Sequence, residues 1–261
     1  MGWAKFQEDV ESRRANDRTA RNSSQTPARC TPQNPPLKVE GEKKMSQLKD
    51  FTRVEARKLP VVLLADVSGS MGVDGKIQAL NLAVREMLEA FREESELRAE
   101  IHVAVITFGG AAKVHVPLSA AKSVEWTDAN AAGGTPMGQA FRLATQLVED
   151  RAQLPSRSYR PTIVLVSDGV PTDEWTANLQ ELLGSERASK AFRMALAIGA
   201  DADNHVLRAF LADAQSRVFQ ADEARQIRQF FKLVTMSVSS RSRSATPNEA
   251  AAVLPADGWD L

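Results

Sequence analysis

The sequence predicts a three-layer α/β fold, with a mostly parallel central sheet, one antiparallel edge strand and helices on both faces. Two observations predict it. Continuous apolar runs at 60–66 and 162–167 suit strands buried on both sides. Segments with apolar residues at helical spacing alternate with such runs, the order that builds a parallel sheet through crossover helices. The alternation covers about 190 residues, an ordinary size for one such domain.

The elements follow in order. Pro60 to Asp66 forms the first strand, and Ile77, Leu80, Val84, Met87, Leu88 and Phe91 recur with a helical period over 76–94. Ile101 to Phe108 is a strand, and Gly109 and Gly110 turn it into an edge hairpin at 113–116. Ala140, Phe141, Ala144, Leu147 and Val148 mark the inner side of a helix over 137–149. Thr162 to Ser167 is a second fully apolar strand. A helix over 173–187, a strand at 192–198, a helix at 203–213, a short strand at 217–220 and a final helix over 222–236 complete the body.

Composition divides the chain. Residues 1–44 hold nine basic and six acidic side chains and few large apolar ones, so we expect a disordered leader. Met45 stands where the composition turns globular and is a candidate start; the alternative is a genuine basic tail. From Ser237 the Ser-Arg pattern, Pro247, Pro255 and Gly258 read as a flexible tail, which leaves 45–236 as the domain. The whole chain balances 33 basic against 33 acidic groups, which argues against nucleic acid or an anionic membrane as partner. A single cysteine, Cys30, excludes an internal disulfide and a multi-cysteine zinc site. With no disulfide and no export signal, the cytoplasm is the expected compartment.

Ligands of open α/β sheets bind beyond the carboxyl ends of the strands. There the sequence places Asp66, Ser68 and Ser70 after the first strand, Gly133 to Pro136 before the helix at 137, and Asp168 after the strand at 162. These loops offer carboxylates and hydroxyls without sulfur or imidazole. Such donors select a hard divalent cation: Mg²⁺ first, with Mn²⁺ and Ca²⁺ as alternatives. Each residue also has a plain reading. Asp66 could end a strand, Ser68 and Ser70 could be loop residues, and Thr135 before Pro136 could cap a helix. The joint convergence favours the ion site.

Asp66-x-Ser68-x-Ser70, Thr135 and Asp168 together resemble the metal-ion-dependent adhesion site (MIDAS) of von Willebrand factor A (vWA) domains, over about 58–236. The resemblance implies a Rossmann-like vWA fold and a metal site of those five residues. Leu59 to Leu64, Val105 to Phe108, Gly133 to Gly138 and Ser167 to Trp175 further resemble bacterial TerY-type tellurium-resistance proteins. That likeness implies a non-enzymatic, cytoplasmic interaction module in a tellurite, stress-response or signalling system. The charge of such an ion site suits a protein partner that donates a Glu or Asp to the metal, and the likeness adds a protein kinase and a PP2C-type phosphatase as candidate partners. Met71, Gly134, Asp173, Glu174 and Trp175 are candidates for a partner-contact rim, with Trp126 and Asp128 as weaker ones; Asp173 could equally only start the next helix.

The same residues exclude two rival functions. A P-loop fails on spacing, with five residues between Gly69 and Gly75 instead of four, and on Ile77 where Ser or Thr is needed. A phosphatase with paired aspartates fails because Ser68 stands where its second acid would be. A same-fold subunit of an ATPase-coupled, chelatase-like complex stays open. His102 and His115 on adjacent strands could share a metal, although packing or surface roles are commoner for such pairs. His205 reads as a helix-surface residue.

Overall fold

The computed structural model describes residues 56–94 and 98–249. The leader over 1–44, the candidate start at Met45 and the last twelve residues lie outside the described residues. The elements are β1 (Arg57–Asp66), α1 (Lys76–Glu93), β2 (Ala99–Gly109), β3 (Ala111–Ala120), α2 (Met137–Glu149), β4 (Thr162–Ser167), α3 (Thr176–Gly184), β5 (Phe192–Ile198), α4 (Asn204–Leu211), β6 (Val218–Ala221) and α5 (Ala224–Arg243).

The sheet runs β3-β2-β1-β4-β5-β6. Every neighbouring pair is parallel except β2 with β3. The expected layers are therefore present, with the antiparallel strand at an edge. Strand alternation sorts the core. Leu59, Val61, Leu63 and Ala65 face α1 and α5, while Val62 and Leu64 face α2, α3 and α4. Both faces of β1 are thus dry, which explains its unbroken apolar run. β3 is longer than the hairpin expected from sequence, and it accommodates Pro117 because an edge strand can lack one amide donor.

Strand order also positions the ligand edge. The chain leaves β1 toward β2 on one side and leaves β4 toward β5 on the other, although β1 and β4 are neighbours. The loops after β1 and β4 diverge there and open a crevice at the carboxyl ends of the strands. Asp66 is the last residue of β1, and Asp168 directly follows β4.

Two helix boundaries move far enough from the sequence reading to matter. α3 begins at Thr176, because Glu174 accepts hydrogen bonds from the amides of Thr176 (2.9 Å) and Ala177 (3.3 Å) and so starts the helix later. The final helix does not end at 236. It continues to Arg243, and Ser237, Val238, Arg241 and Ser242 are buried. The tail boundary read at Ser237 is therefore corrected: the segment's polar composition conceals an inward-facing stripe.

Arg241 holds that extension. Its side chain is 1% exposed and donates to Thr162 Oγ1 (2.5 Å), the Arg160 carbonyl (2.8 Å) and the Pro247 carbonyl (3.0 Å). Its guanidinium lies 3.9 Å from the centre of the Phe192 ring. Burial, with a smaller push from the charge of Arg160, lowers its pKa to about 10, so it remains cationic at neutral pH. Truncation would orphan the buried Thr162 hydroxyl and Pro247 carbonyl and the partly buried Arg160 carbonyl. Arg241→Ala is expected to destabilise the fold by about 3 kcal/mol, measured as a lower denaturation midpoint with unchanged slope.

Candidate metal centre

Three loops meet at the crevice, and backbone hydrogen bonds join them before any side chain is considered. After β1 the chain passes Ser68 in extended conformation into a 3₁₀ turn at Gly69–Gly72. Asp74 and Gly75, both with positive φ, then turn it into α1. The second loop docks on the first through Gly69 N to Gly133 O (2.8 Å) and Ala132 N to Val67 O (2.8 Å). Gly133 has φ +74°, and a Cβ there would lie 2.5 Å from Gly110 Cα, so only glycine fits. The second and third loops are joined reciprocally: Thr135 N donates to Thr172 Oγ1 and Thr172 N to Thr135 O, both at 2.9 Å.

On this base the side-chain oxygens converge. Asp66 is fully buried; its Oδ1 accepts from Ser68 N (2.8 Å) and its Oδ2 from Ser167 Oγ (2.6 Å). Ser68 Oγ lies 3.0 Å from Ser70 Oγ, which donates to Asp168 Oδ1 at 2.7 Å. Asp168, also fully buried, accepts from Lys76 Nζ at its Oδ2 (2.8 Å). Thr135 is buried. A Cβ added at Gly169 would meet Thr135 Oγ1 at 3.5 Å and Ser70 Oγ at 3.7 Å, so both hydroxyls border the space that this glycine leaves. The structure thus brings together all five residues read from sequence.

The donor set fits a hard divalent cation. Among the described residues no group of three or more His, Cys, Asp or Glu could hold a metal. Two carboxylates supplemented by neutral hydroxyls are what this crevice offers. Asp66 shows the unmet charge. Burial raises its pKa to about 6, hydrogen bonds from Ser167 and Ser68 partly oppose this, and the charge of Asp168 adds slightly to the rise. Among the described residues, the hydrogen-bond donors to Asp66 are neutral.

The candidate rim divides. Gly134 is exposed beside the site. Met71 is fully buried in the core, because the 3₁₀ turn directs it inward, so its proposed contact role is corrected. Asp173 accepts from the amides of Gly138 and Gln139, both at 2.9 Å, and caps α2 from another loop. Thr135 therefore does not serve as the cap of that helix; Pro136 occupies the N-cap position. Trp175 is half-buried and meets the His205 ring edge-on at 5.9 Å. Asp128 pairs with Arg85 (2.5 Å), and Trp126 packs against His115. His102 bonds Glu100 and His115 bonds the Thr127 carbonyl, so the two strand histidines are not brought together. Sequence reasoning missed Ser167, Thr172 and Lys76 as parts of the site. The period of two in β4 could have placed Ser167 beside Asp66.

The raised pKa of Asp66 means that the folded state holds its proton between about pH 4 and 6, where the unfolded chain has released it. Ionised Asp66 then destabilises the metal-free fold above that window, by on the order of 3 kcal/mol at neutral pH. Asp66→Asn should therefore gain stability relative to the parent as pH rises from 4 to 7 in EDTA, in denaturation series at each pH. Asp173→Ala should cost about 1 kcal/mol through loss of the α2 cap and leave the metal-induced change in Tm unaltered.

The family model of the von Willebrand factor type A domain matches residues 61–233. A sequence comparison with curated proteins finds no match. Among solved structures, the chain is similar to a von Willebrand factor type A protein from Catenulispora acidiphila, with TM-score 0.55 and 19% identity over 70% of this chain and 43% of that one. It is similar to the pilus adhesin SpaC of Lactobacillus rhamnosus GG in an open conformation, with TM-score 0.58 and 17% identity over 72% and 31%. It is also similar to proximal thread matrix protein 1 of the mussel byssus with a zinc-occupied MIDAS motif, with TM-score 0.56 and 14% identity over 70% and 48%. The chain spans less than half the length of each, and at these identities the likeness shows the fold alone. With the family model covering most of the sheet and its helices, the chain belongs to the von Willebrand factor type A domain family.

Proposed function

We propose that this domain is a non-enzymatic protein-recognition module whose binding depends on a divalent cation held by Asp66, Ser68, Ser70, Thr135 and Asp168. The observation that carries the reading is the convergence of these oxygens at the switch point, with Asp66 buried and without a cation of its own. The mussel byssus relative, whose site is described as zinc-occupied, supports a divalent ion at this place in the fold. The all-oxygen donors favour Mg²⁺, with Mn²⁺ and Ca²⁺ as alternatives.

When bound, the ion supplies positive charge that a carboxylate from outside can meet. The chain's residues do the rest. Ser68 and Ser70 contribute oxygens without charge, so they do not neutralise the ion. The exposed backbone at Gly69 and Gly134 leaves the mouth unobstructed for a Glu or Asp from a partner. The resemblance to TerY-type proteins points to a cytoplasmic tellurite, stress-response or kinase-phosphatase system. A protein kinase and a PP2C-type phosphatase are the partners to test. No helix among the described residues is long and apolar enough to cross a membrane.

A saturating divalent ion should raise Tm by about 5–10 °C, the effect of roughly 3 kcal/mol on a domain of this size. Asp66→Ala combined with Ser68→Ala should remove both that gain and partner capture while circular dichroism stays native. Undiminished partner capture in EDTA would sink the reading.

A further inference from the structure

The site contains a cation of its own. Lys76 opens α1, one turn beyond the loop that carries Ser68 and Ser70, and its ammonium reaches Asp168 Oδ2 at 2.8 Å. The Asp168 side chain is fully buried and that of Lys76 is 19% exposed, so the pair is shielded from bulk water and interacts more strongly than a surface pair. The two oxygens of Asp168 are divided: Oδ1 takes the Ser70 hydroxyl and Oδ2 takes Lys76. The ammonium also abuts Gly199, where an added Cβ would lie 3.6 Å from Nζ. Asp66 receives no comparable charge.

We propose that Lys76 sets the charge of the site so that a divalent ion alone binds weakly, and an ion together with an acidic ligand binds tightly. This deepens the function proposed above and rests on it. Asp66, Asp168 and Lys76 sum to one negative charge, so a divalent ion leaves the site with one positive charge. A single carboxylate from a partner then restores neutrality. Without Lys76, the ion alone would neutralise the two aspartates, and an incoming carboxylate would bring an unmatched charge. Lys76 therefore acts as a positioning and tuning residue, repelling the ion while favouring the ion's acidic ligand. Linkage makes the effect reciprocal: whatever the ion does for carboxylate affinity, the carboxylate does for ion affinity.

The test compares the full chain with Lys76→Met and Lys76→Arg. Mn²⁺ affinity is read from the free-ion electron paramagnetic resonance signal, without and with 50 mM acetate as the carboxylate probe. Lys76→Met, which keeps the stem and removes the charge, should bind Mn²⁺ alone about tenfold more tightly. Lys76→Arg should stay near the parent. Acetate should tighten Mn²⁺ binding in the parent and have less effect in Lys76→Met. The metal-free Tm of Lys76→Met should fall because Asp168 loses its counter-charge, and Mn²⁺ should raise it by more than it raises the parent; a packing defect alone would leave the two increments equal.

Equal or weaker Mn²⁺ binding by folded Lys76→Met would overturn the proposal, as would an acetate effect that ignores the substitution. If neither parent nor variant binds Mn²⁺, the metal-dependent reading itself falls. If the parent binds and Lys76 makes no difference, only the tuning role falls.

Discussion

Two carboxylates taken out of water are the constraint around which this structure is arranged. Asp66 and Asp168 end adjacent strands in the middle of the sheet, where neither is exposed. Burying one ionised carboxylate is unfavourable, and burying two as neighbours is more so. The fold meets this demand unevenly. Asp168 has an ammonium and a hydroxyl. Asp66 has one amide and one hydroxyl, both neutral donors. The imbalance raises the pKa of Asp66 to about 6, while Asp168 keeps an ion pair.

Holding such groups in place requires a rigid setting, and the backbone provides it. The loops after β1, before α2 and after β4 bond to one another through main-chain groups. Glycines stand where chains approach too closely for a side chain; a Cβ at Gly138 would lie 2.3 Å from the Glu174 carbonyl oxygen. That approach brings Asp173 onto the first amides of α2, while the paired bonds with Thr172 hold the segment carrying Thr135. Hydroxyls that rotate freely in an ordinary loop are thereby confined to one small volume.

Much of this was legible in the sequence because the relevant signals are local. Apolar runs mark doubly buried strands, and a carboxylate or hydroxyl just beyond such a run falls at the ligand edge. Asp66, Ser68, Ser70 and Asp168 could be read in that way, and Thr135 from its place just before the helix at 137. What escaped depends on contacts between distant segments. Lys76 finds its carboxylate 92 positions away, and Asp173 caps a helix 35 positions earlier although its neighbours suggest a role in the next one. Met71 sits among loop residues, but the turn it belongs to points it into the core. The end of α5 escaped for a compositional reason: serines and arginines resemble a solvated tail until one arginine is seen to be enclosed.

That enclosed arginine bears on where the domain can be cut. The match to the family ends at residue 233, ten residues before α5 does. A fragment trimmed at the family boundary would keep every strand and every oxygen of the crevice. It would also uncover the Phe192 ring and leave the Thr162 hydroxyl and the Arg160 carbonyl without their shared donor, at the end of the sheet opposite the crevice. The working unit is therefore longer than its family signature, with its seal at the foot of the sheet.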